Sequence, residues 1–428
     1  MEKSKKSLTN EEVLYLRKIK NPPKFIYNFL GKIWKILFMK KYGVKVTYLS
    51  DPRNEEGSHI FISNHASRND YIFTGVPLLP NTYNFVAGYN EFYRSHLRGV
   101  FNLLQVIPKK NFTPDIYTLK EVSRVMKNGG NVLLFPEGMN SIAGMNQPVA
   151  IGTGKFIKHF KVPVYYSVIK GGYLSFPKYT NNEYPGRIEV VIDKMFTPKE
   201  IEELSAEEIE DIINKKLYHD DYKWNSVFKN VYKTGGKSAE GLSDVLFWCP
   251  KCGRQDSMVS KANAIWCTEC GNGAIVDDTY AMSPIDDISQ IPKTQSDWFF
   301  MQREVIKKQV REKDFSFTAN VKLGTLPDKK LLKKYKTSEI TGEGKVTVDV
   351  KGFTFSGKNN GKPLEFFIPS NELPTYGMCT DVSRFYTFYN GKFYEFYPET
   401  PCVEKILLIT EEVHRLNGGK WQDFKFSK

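Results

Sequence analysis

Residues 59–70 read His-Ile-Phe-Ile-Ser-Asn-His-Ala-Ser-Arg-Asn-Asp, and no single regular element accommodates them. The β-branched and aromatic run up to Ser63 predicts a strand of about six residues. Ser67 followed three residues later by Asp70 is a capping-box pattern, which predicts a helix start with Asp70 in its first turn. His65 then falls in the corner between strand and helix. On one continuous helix a five-residue step would turn His65 and Asp70 about 140° apart, whereas a strand-to-helix corner lets them meet. There the carboxylate can hold one ring nitrogen and orient the other toward a substrate hydroxyl, the base-and-orienter arrangement of catalytic triads. The same residues also satisfy a plainer reading, with Asp70 as a helix cap and His65 as a polar turn residue. Of the six histidines, only His65 has an acid five positions on.

Two further blocks follow. Asn131-Val-Leu-Leu-Phe-Pro-Glu-Gly138 is another short apolar run ending in an acid and a glycine, and Val162-Pro163-Val164 opens a third. The His-x-x-x-x-Asp block, the Phe-Pro-Glu-Gly block about seventy residues later and the Val-Pro strand resemble the lysophospholipid and glycerophosphate acyltransferase family over roughly residues 45–200. The resemblance implies an α/β fold, a layered, mostly parallel mixed sheet with flanking helices. It also implies transfer of a fatty acyl group from an acyl thioester, either acyl-CoA or acyl carrier protein, to a hydroxyl of a lysophosphatidate-like or related lysolipid acceptor. The 1-acylglycerol-3-phosphate acyltransferases do this without a catalytic cofactor. By the same resemblance His65 is the general base, Asp70 its orienter, and Glu137 and Gly138 contact the acceptor. Lys109, with Arg98 as a second candidate, holds its phosphate. Two departures fall on the acceptor side. Lys109 stands where the family has arginine, whose bidentate fork lysine lacks, and Met139-Asn140-Ser141 stands where Thr-Arg-Ser is common.

Strand and helix signals alternate over residues 45–233, which predicts a layered α/β domain. Thr113-Pro114 is expected to cap a helix running to Met126. Val162 to Ser175 reads as one long strand, and Thr197-x-x-Glu200 and Ser205-x-x-Glu208 as two capping signals. Ahead of this domain, residues 1–44 form a basic amphipathic helical region; up to Lys45 there are twelve basic residues against three acids. Phe25–Met39, opened by Pro22-Pro23, reads as one helix with Phe29, Ile33, Ile36 and Leu37 on a face. Such a helix suits either an anionic membrane surface, with Trp34 or Phe25 in the acyl boundary, or packing on the sheet. The net charge of +13 fits an anionic partner or simple solubility. No run of eighteen uncharged apolar residues exists and the polar start lacks a signal-peptide core. The expectation is a cytoplasmic protein, peripheral on the inner face of the membrane.

Residues 234–245 are a linker by composition. Residues 246–280 contain Cys249-Pro-Lys-Cys252-Gly and Cys267-Thr-Glu-Cys270-Gly, two Cys-x-x-Cys pairs with fourteen residues between them. They resemble a zinc ribbon, whose four thiolates close the coordination shell and make the metal structural. Iron in a rubredoxin-like site and a redox pair are the alternatives, the latter disfavoured in a reducing cytoplasm. Residues 281–428 read as a β-rich domain with a terminal helix. Its marks are strands at 345–351 and 363–369, an aromatic hairpin at 384–397 turning on Asn390-Gly391, and a helix from Val403 to Leu416. A small barrel or pleckstrin-like module is expected there. Two readings of other classes stand beside the enzyme: a non-catalytic lipid-binding or regulatory protein on an acyltransferase fold and, less favoured, a zinc-ribbon nucleic-acid binder.

Overall fold

The structure, a computed structural model, describes residues 8–421. Lys3, Lys5 and Lys6 of the basic start lie outside that range. The N-terminal α/β domain is built on β1 (Lys45–Tyr48), β2 (Ile60–Ser63), β3 (Tyr83–Gly88), β4 (Ile107–Lys109), β5 (Asn131–Leu134), β6 (Val164–Lys170) and β7 (Glu189–Phe196). They form one sheet in the order β1-β7-β6-β2-β5-β3-β4. The run from β6 to β4 is parallel, and β7 returns antiparallel to β6 and carries β1 alongside. All four residues of β2 are buried. Phe61 packs with Phe73 and Leu133 on one face, and Ile60 and Ile62 with Ile157 and Ile213 on the other. A parallel strand covered on both faces has to be apolar on both, which is why this run is continuous rather than half polar. Each of these three side chains contributes about 1.5–3 kcal/mol by leaving water.

The strand predicted through Ser175 stops at Lys170. Gly171, at φ +77°, turns the chain there into the short helix Gly172–Ser175. The helix expected from Thr113 begins at Ile116. Asp115 caps it instead, accepting from the Thr118 N–H, and its second oxygen accepts from the Lys110 N–H, which fixes the cap to the end of β4. Both capping boxes, at Thr197 and at Ser205, form.

At the N-terminus lie α1 (Asn10–Tyr15) and α2 (Lys24–Trp34). The helix read over Phe25–Met39 is α-helical to Trp34 and π-helical over Lys35–Met39. Tyr27 and Gly31 of α2 face inward, and a Cβ on Gly31 would run into Leu79. Trp34 turns toward the fold, edge-on to Tyr71. Phe25, Phe29, Ile36 and Leu37 are exposed. Among the described residues no helix is long and apolar enough to cross a membrane.

The cysteine-bearing unit is a small antiparallel sheet of β8 (Met258–Lys261), β9 (Ala264–Cys267), β10 (Gly273–Val276) and β11 (Met282–Pro284). The C-terminal unit is a single antiparallel sheet of β12 (Ser316–Thr325), β13 (Glu339–Asp349), β14 (Gly352–Asn359), β15 (Lys362–Pro369), β16 (Gly377–Met378), β17 (Phe385–Tyr389) and β18 (Lys392–Pro398). Its order is β15-β14-β13-β12-β18-β17-β16, and the helix Val403–Leu416 packs on it. The edge strands β15 and β16 are not paired with each other, so the expected barrel is an open sheet in its hydrogen bonding. Asn390 and Gly391 both have positive φ, as the two-residue turn demands.

Residues 234–245 are no free linker. Ser238 and Ala239 are fully buried; the Ser238 hydroxyl donates to the Val276 carbonyl (2.6 Å), and the Tyr179 hydroxyl donates to the Ser238 carbonyl (2.7 Å). One hydrophobic cluster runs from Ile142 and Tyr173 through Leu242 and Leu246 to Phe353 and Ile406, so all three units share a core. Of the small residues that suggested flexibility, Ser238, Ala239 and Gly241 serve close packing, while Gly235 and Gly236 are open turn positions. Gly241 sits at φ +89°, and a Cβ there would run into the Tyr179 carbonyl. Gly241→Ala is therefore expected to lower stability by more than about 1 kcal/mol in urea denaturation, where a free linker would tolerate it.

Candidate active site

Where β2 ends, a side chain continues the ladder. Asn64 Oδ1 accepts from the Ile169 N–H (2.7 Å) and Nδ2 donates to the Ile169 carbonyl (3.0 Å), tying the corner to β6. His65 follows at the carboxyl edge of the sheet, and its Nδ1 lies 2.9 Å from Asp70 Oδ2. Asp70 opens the helix α3 (Asp70–Gly75) and is fully buried. It also accepts from the Ser67 amide (2.8 Å) and the Ser67 hydroxyl (2.6 Å). Ser67 thus donates to Asp70 instead of capping the helix, because a buried carboxylate must find donors. Burial raises the Asp70 carboxyl above its ordinary value, opposed by His65 and Ser67. With Nδ1–H directed at Asp70, the lone pair of the neutral imidazole sits on Nε2. The ring stacks on Phe135, centroids 4.5 Å apart, and the side chain keeps 23% of its exposure.

The loop after β5 holds the His65 peptide from both sides. Glu137 Oε1 accepts from the His65 N–H (2.7 Å) and Oε2 from the Gln147 N–H (2.7 Å), while the Ser141 N–H donates to the His65 carbonyl (2.7 Å). Burial pushes the Glu137 carboxyl up to about 8 against the pull of the two amides. Both Glu137 oxygens are thus engaged by backbone amides. Gly138, at φ +78°, donates its N–H to the Phe135 carbonyl, and a Cβ there would lie 3.0 Å from the Phe112 ring. Phe112 covers the side expected to stand open to an acceptor.

Residues 44–170 match the protein family described as Acyltransferase. This stretch is an acyltransferase domain. Among solved structures, the 1-acyl-sn-glycerophosphate (LPA) acyltransferase PlsC from Thermotoga maritima is similar, at 21% identity and a TM-score of 0.37, covering 45% of this chain and 79% of that one. No curated protein sequence matches the chain significantly.

Lys109 and Arg98, the two cations expected to hold a phosphate, have protein partners. Lys109 Nζ donates to the Lys110 and Thr113 carbonyls, and burial lowers its pKa. Arg98 donates to Asn10 Oδ1 (3.1 Å) and the Phe92 carbonyl (3.4 Å). Neither is hydrogen-bonded to His65, Asp70 or Glu137. Two cations that sequence reasoning missed lie nearer this edge. Arg68, inside the His-Asp block, donates to the carbonyls of Thr180, Asn181 and Asn182. Lys178 is buried and donates to Asn140 Oδ1 (2.6 Å) and the Met378 carbonyl (2.9 Å), and burial lowers its pKa to about 8. Asn140, where an arginine was expected, is thus met by a lysine arriving from another loop, and no local pattern announces Lys178. Phe135 was legible as part of its block, but not as the surface under the imidazole.

In the ribbon, the sulfurs of Cys249, Cys252, Cys267 and Cys270 all lie within 4.8 Å of one another. Cys249 to Cys270 is 3.7 Å and Cys252 to Cys267 is 3.8 Å. Metal–sulfur bonds of about 2.3 Å in a tetrahedron place sulfurs roughly 3.8 Å apart, so the four fit one ion. The glycine after each knuckle, Gly253 and Gly271, has positive φ and donates its N–H to the first cysteine's carbonyl.

Glu137→Ala would strand two buried amides, those of His65 and Gln147. At about 1–3 kcal/mol for each unsatisfied group, a stability loss of roughly 2–6 kcal/mol is expected in chemical denaturation, with Glu137→Gln, which keeps one acceptor, between it and the native chain.

Proposed function

We propose that the protein is an O-acyltransferase acting at a membrane surface, in which His65 serves as general base and Asp70 orients it. The observation that carries this reading is the 2.9 Å contact between His65 Nδ1 and Asp70 on a strand-to-helix corner of an acyltransferase domain. His65 Nε2 takes the proton of a lysolipid hydroxyl as that oxygen attacks the carbonyl of an acyl thioester. A C–O bond forms, the C–S bond breaks, and the imidazolium returns the proton to the departing thiolate. Asp70 keeps the Nδ1 proton in place and stabilises the imidazolium. Glu137 fixes the backbone from which the base projects. The acceptor is a lysophosphatidate-like or related lysolipid, and the donor acyl-CoA or an acyl carrier protein. Holding a phosphate through Lys109 or Arg98 requires each to exchange its present carbonyl partners for phosphate oxygens. The exposed apolar face of α2, among lysines, is the part that meets the anionic lipid surface.

Incubating the purified protein with labelled acyl-CoA, or with acyl carrier protein carrying the labelled chain, and a panel of lysolipids, with mass spectrometry of the products, tests the chemistry. An acylated product that falls 10²–10⁴-fold, roughly the usual worth of a positioned base, in His65→Ala is the expected result. Asp70→Asn should lose activity while leaving the lysolipid KM nearly unchanged. Absence of product with either donor type and every acceptor would remove the enzyme reading.

The metal of the cysteine cluster is assigned as zinc, held by four thiolates and structural in role, since such a set leaves no open position for chemistry. Elemental analysis should find one zinc per chain, and Cys252→Ser should lower both that stoichiometry and the thermal midpoint, because binding energy of a structural zinc is folding energy.

A further inference from the structure

Between β12 and β13 the chain makes a loop whose residues 328–336 read Asp-Lys-Lys-Leu-Leu-Lys-Lys-Tyr-Lys, five lysines against one acid. Its backbone is held firmly on the other domain. Asn10 Nδ2 donates to the Pro327 (3.1 Å) and Lys330 (3.0 Å) carbonyls, and the Asn10 N–H to the Asp328 carbonyl (2.6 Å). Leu332 forms a parallel bridge beside Arg94, with its N–H to the Tyr93 carbonyl (2.7 Å) and its carbonyl taking the Ser95 N–H (2.9 Å). Leu332 is buried in the same hydrophobic cluster as Leu14 of α1 and Tyr27, Leu30 and Trp34 of α2. One buried leucine thus anchors the loop, while all five lysines face solvent and Tyr335 is 85% exposed.

The cluster that receives Leu332 underlies a surface of the same character. From residue 13 to residue 50 there are nine basic residues and no acid. Leu16, Phe29, Ile36 and Leu37 are exposed there, and Phe25 is 83% exposed. Clustered cations around aliphatic and aromatic side chains match an anionic lipid interface, where headgroups take the lysines and the acyl boundary takes the apolar residues. A nucleic acid would satisfy the lysines but offers little to isoleucine and leucine.

We propose that residues 328–336 are a second lipid-contact element, so that the C-terminal sheet and α2 dock together on one anionic membrane surface. The inference rests on the membrane-surface part of the reading above and not on its chemistry. Lys330 already pairs with Glu339 (2.8 Å), so the contact is carried by Lys329, Lys333, Lys334 and Lys336, with Tyr335 at the headgroup level.

The test is flotation of the full, metal-loaded chain with phosphatidylcholine vesicles, with and without phosphatidylglycerol. Three variants run beside it: Lys329, Lys333, Lys334 and Lys336 all →Glu; Tyr335→Ser; and Phe25→Ser with Phe29→Ser. Thermal midpoints check that each is folded. The wild type should bind only the anionic vesicles, more weakly as salt rises. The four-lysine variant should bind at least about 1,000-fold less tightly, and Tyr335→Ser severalfold less. If the loop variants bind like wild type while the Phe25/Phe29 variant does not, the loop is no contact and the proposal falls, leaving α2 as the membrane element. If wild type binds neither vesicle, both fall together. Tighter binding to a single-stranded oligonucleotide than to anionic vesicles, lost in the four-lysine variant, would make the loop a nucleic-acid surface and overturn the proposal. His65→Ala should bind vesicles like wild type, which keeps this result separate from the catalytic one.

Discussion

Three polar side chains, Asn64, Asp70 and Glu137, are buried together where the central parallel strand ends, and the acyltransferase domain depends on their being satisfied. An amide or carboxyl taken out of water without partners costs several kcal/mol. Here each finds backbone or neighbouring donors: Asn64 on β6, Asp70 on the Ser67 turn and the His65 ring, Glu137 on the amides of His65 and Gln147. These contacts draw β6, the turn into α3 and the loop after β5 onto one peptide. His65 is held from its carbonyl, its N–H and its Nδ1, leaving Nε2 as its unassigned polar atom. A side chain fixed on so many sides can be accurately placed without being enclosed, because the reorganisation cost is met on folding.

The corner was legible because its chemistry is local. A strand signal, a cap signal and a five-residue spacing together fix where His65 and Asp70 can meet. The same logic found the boxes at Thr197 and Ser205, the Asn390-Gly391 turn and the four cysteines. It was silent where a partner lies far along the chain. Nothing near Glu137 in sequence reveals Gln147 turning back, 10 residues on, to donate to its second oxygen. Residues 234–245 looked like a linker because Gly and Ser mark both flexible chain and tight packing, and only Val276 and Tyr179 decide between them. Lys178 sits in no motif at all; its role is set by Asn140, 38 residues earlier, and Met378, 200 residues later.

The C-terminal half is not an appendage hung on a catalytic domain. The helix Gln295–Gln309 takes the ribbon through Gln302, whose Oε1 accepts from the Phe247 and Trp248 amides, and takes the terminal helix through Arg303, which pairs with Glu411 and Glu412. Arg303 and both acids are almost fully buried, so none tolerates loss of its partners. A metal held by the four cysteines would therefore also support the element joining ribbon to sheet.

That sheet borders the loops at the working edge of the α/β domain. Lys110 Nζ, after β4, donates to the Gly391 carbonyl; Asn111 donates to the Gly138 carbonyl and to the Tyr386 hydroxyl; Lys178, after β6, donates to the Met378 carbonyl; and Asn181 donates to Asp381. In open α/β sheets the loops at the carboxyl ends of the strands carry binding and chemistry. Here two of those loops, after β4 and after β6, meet β16, β17 or the turns beside them rather than solvent alone. The hydrogen bond from Asn111 to Gly138 passes from the β17 tyrosine to the loop that holds His65 in two steps. The surroundings of His65 are accordingly shaped in part by residues the family pattern does not contain, and Asn140, one of the two departures from that pattern, is tied to the C-terminal sheet through Lys178.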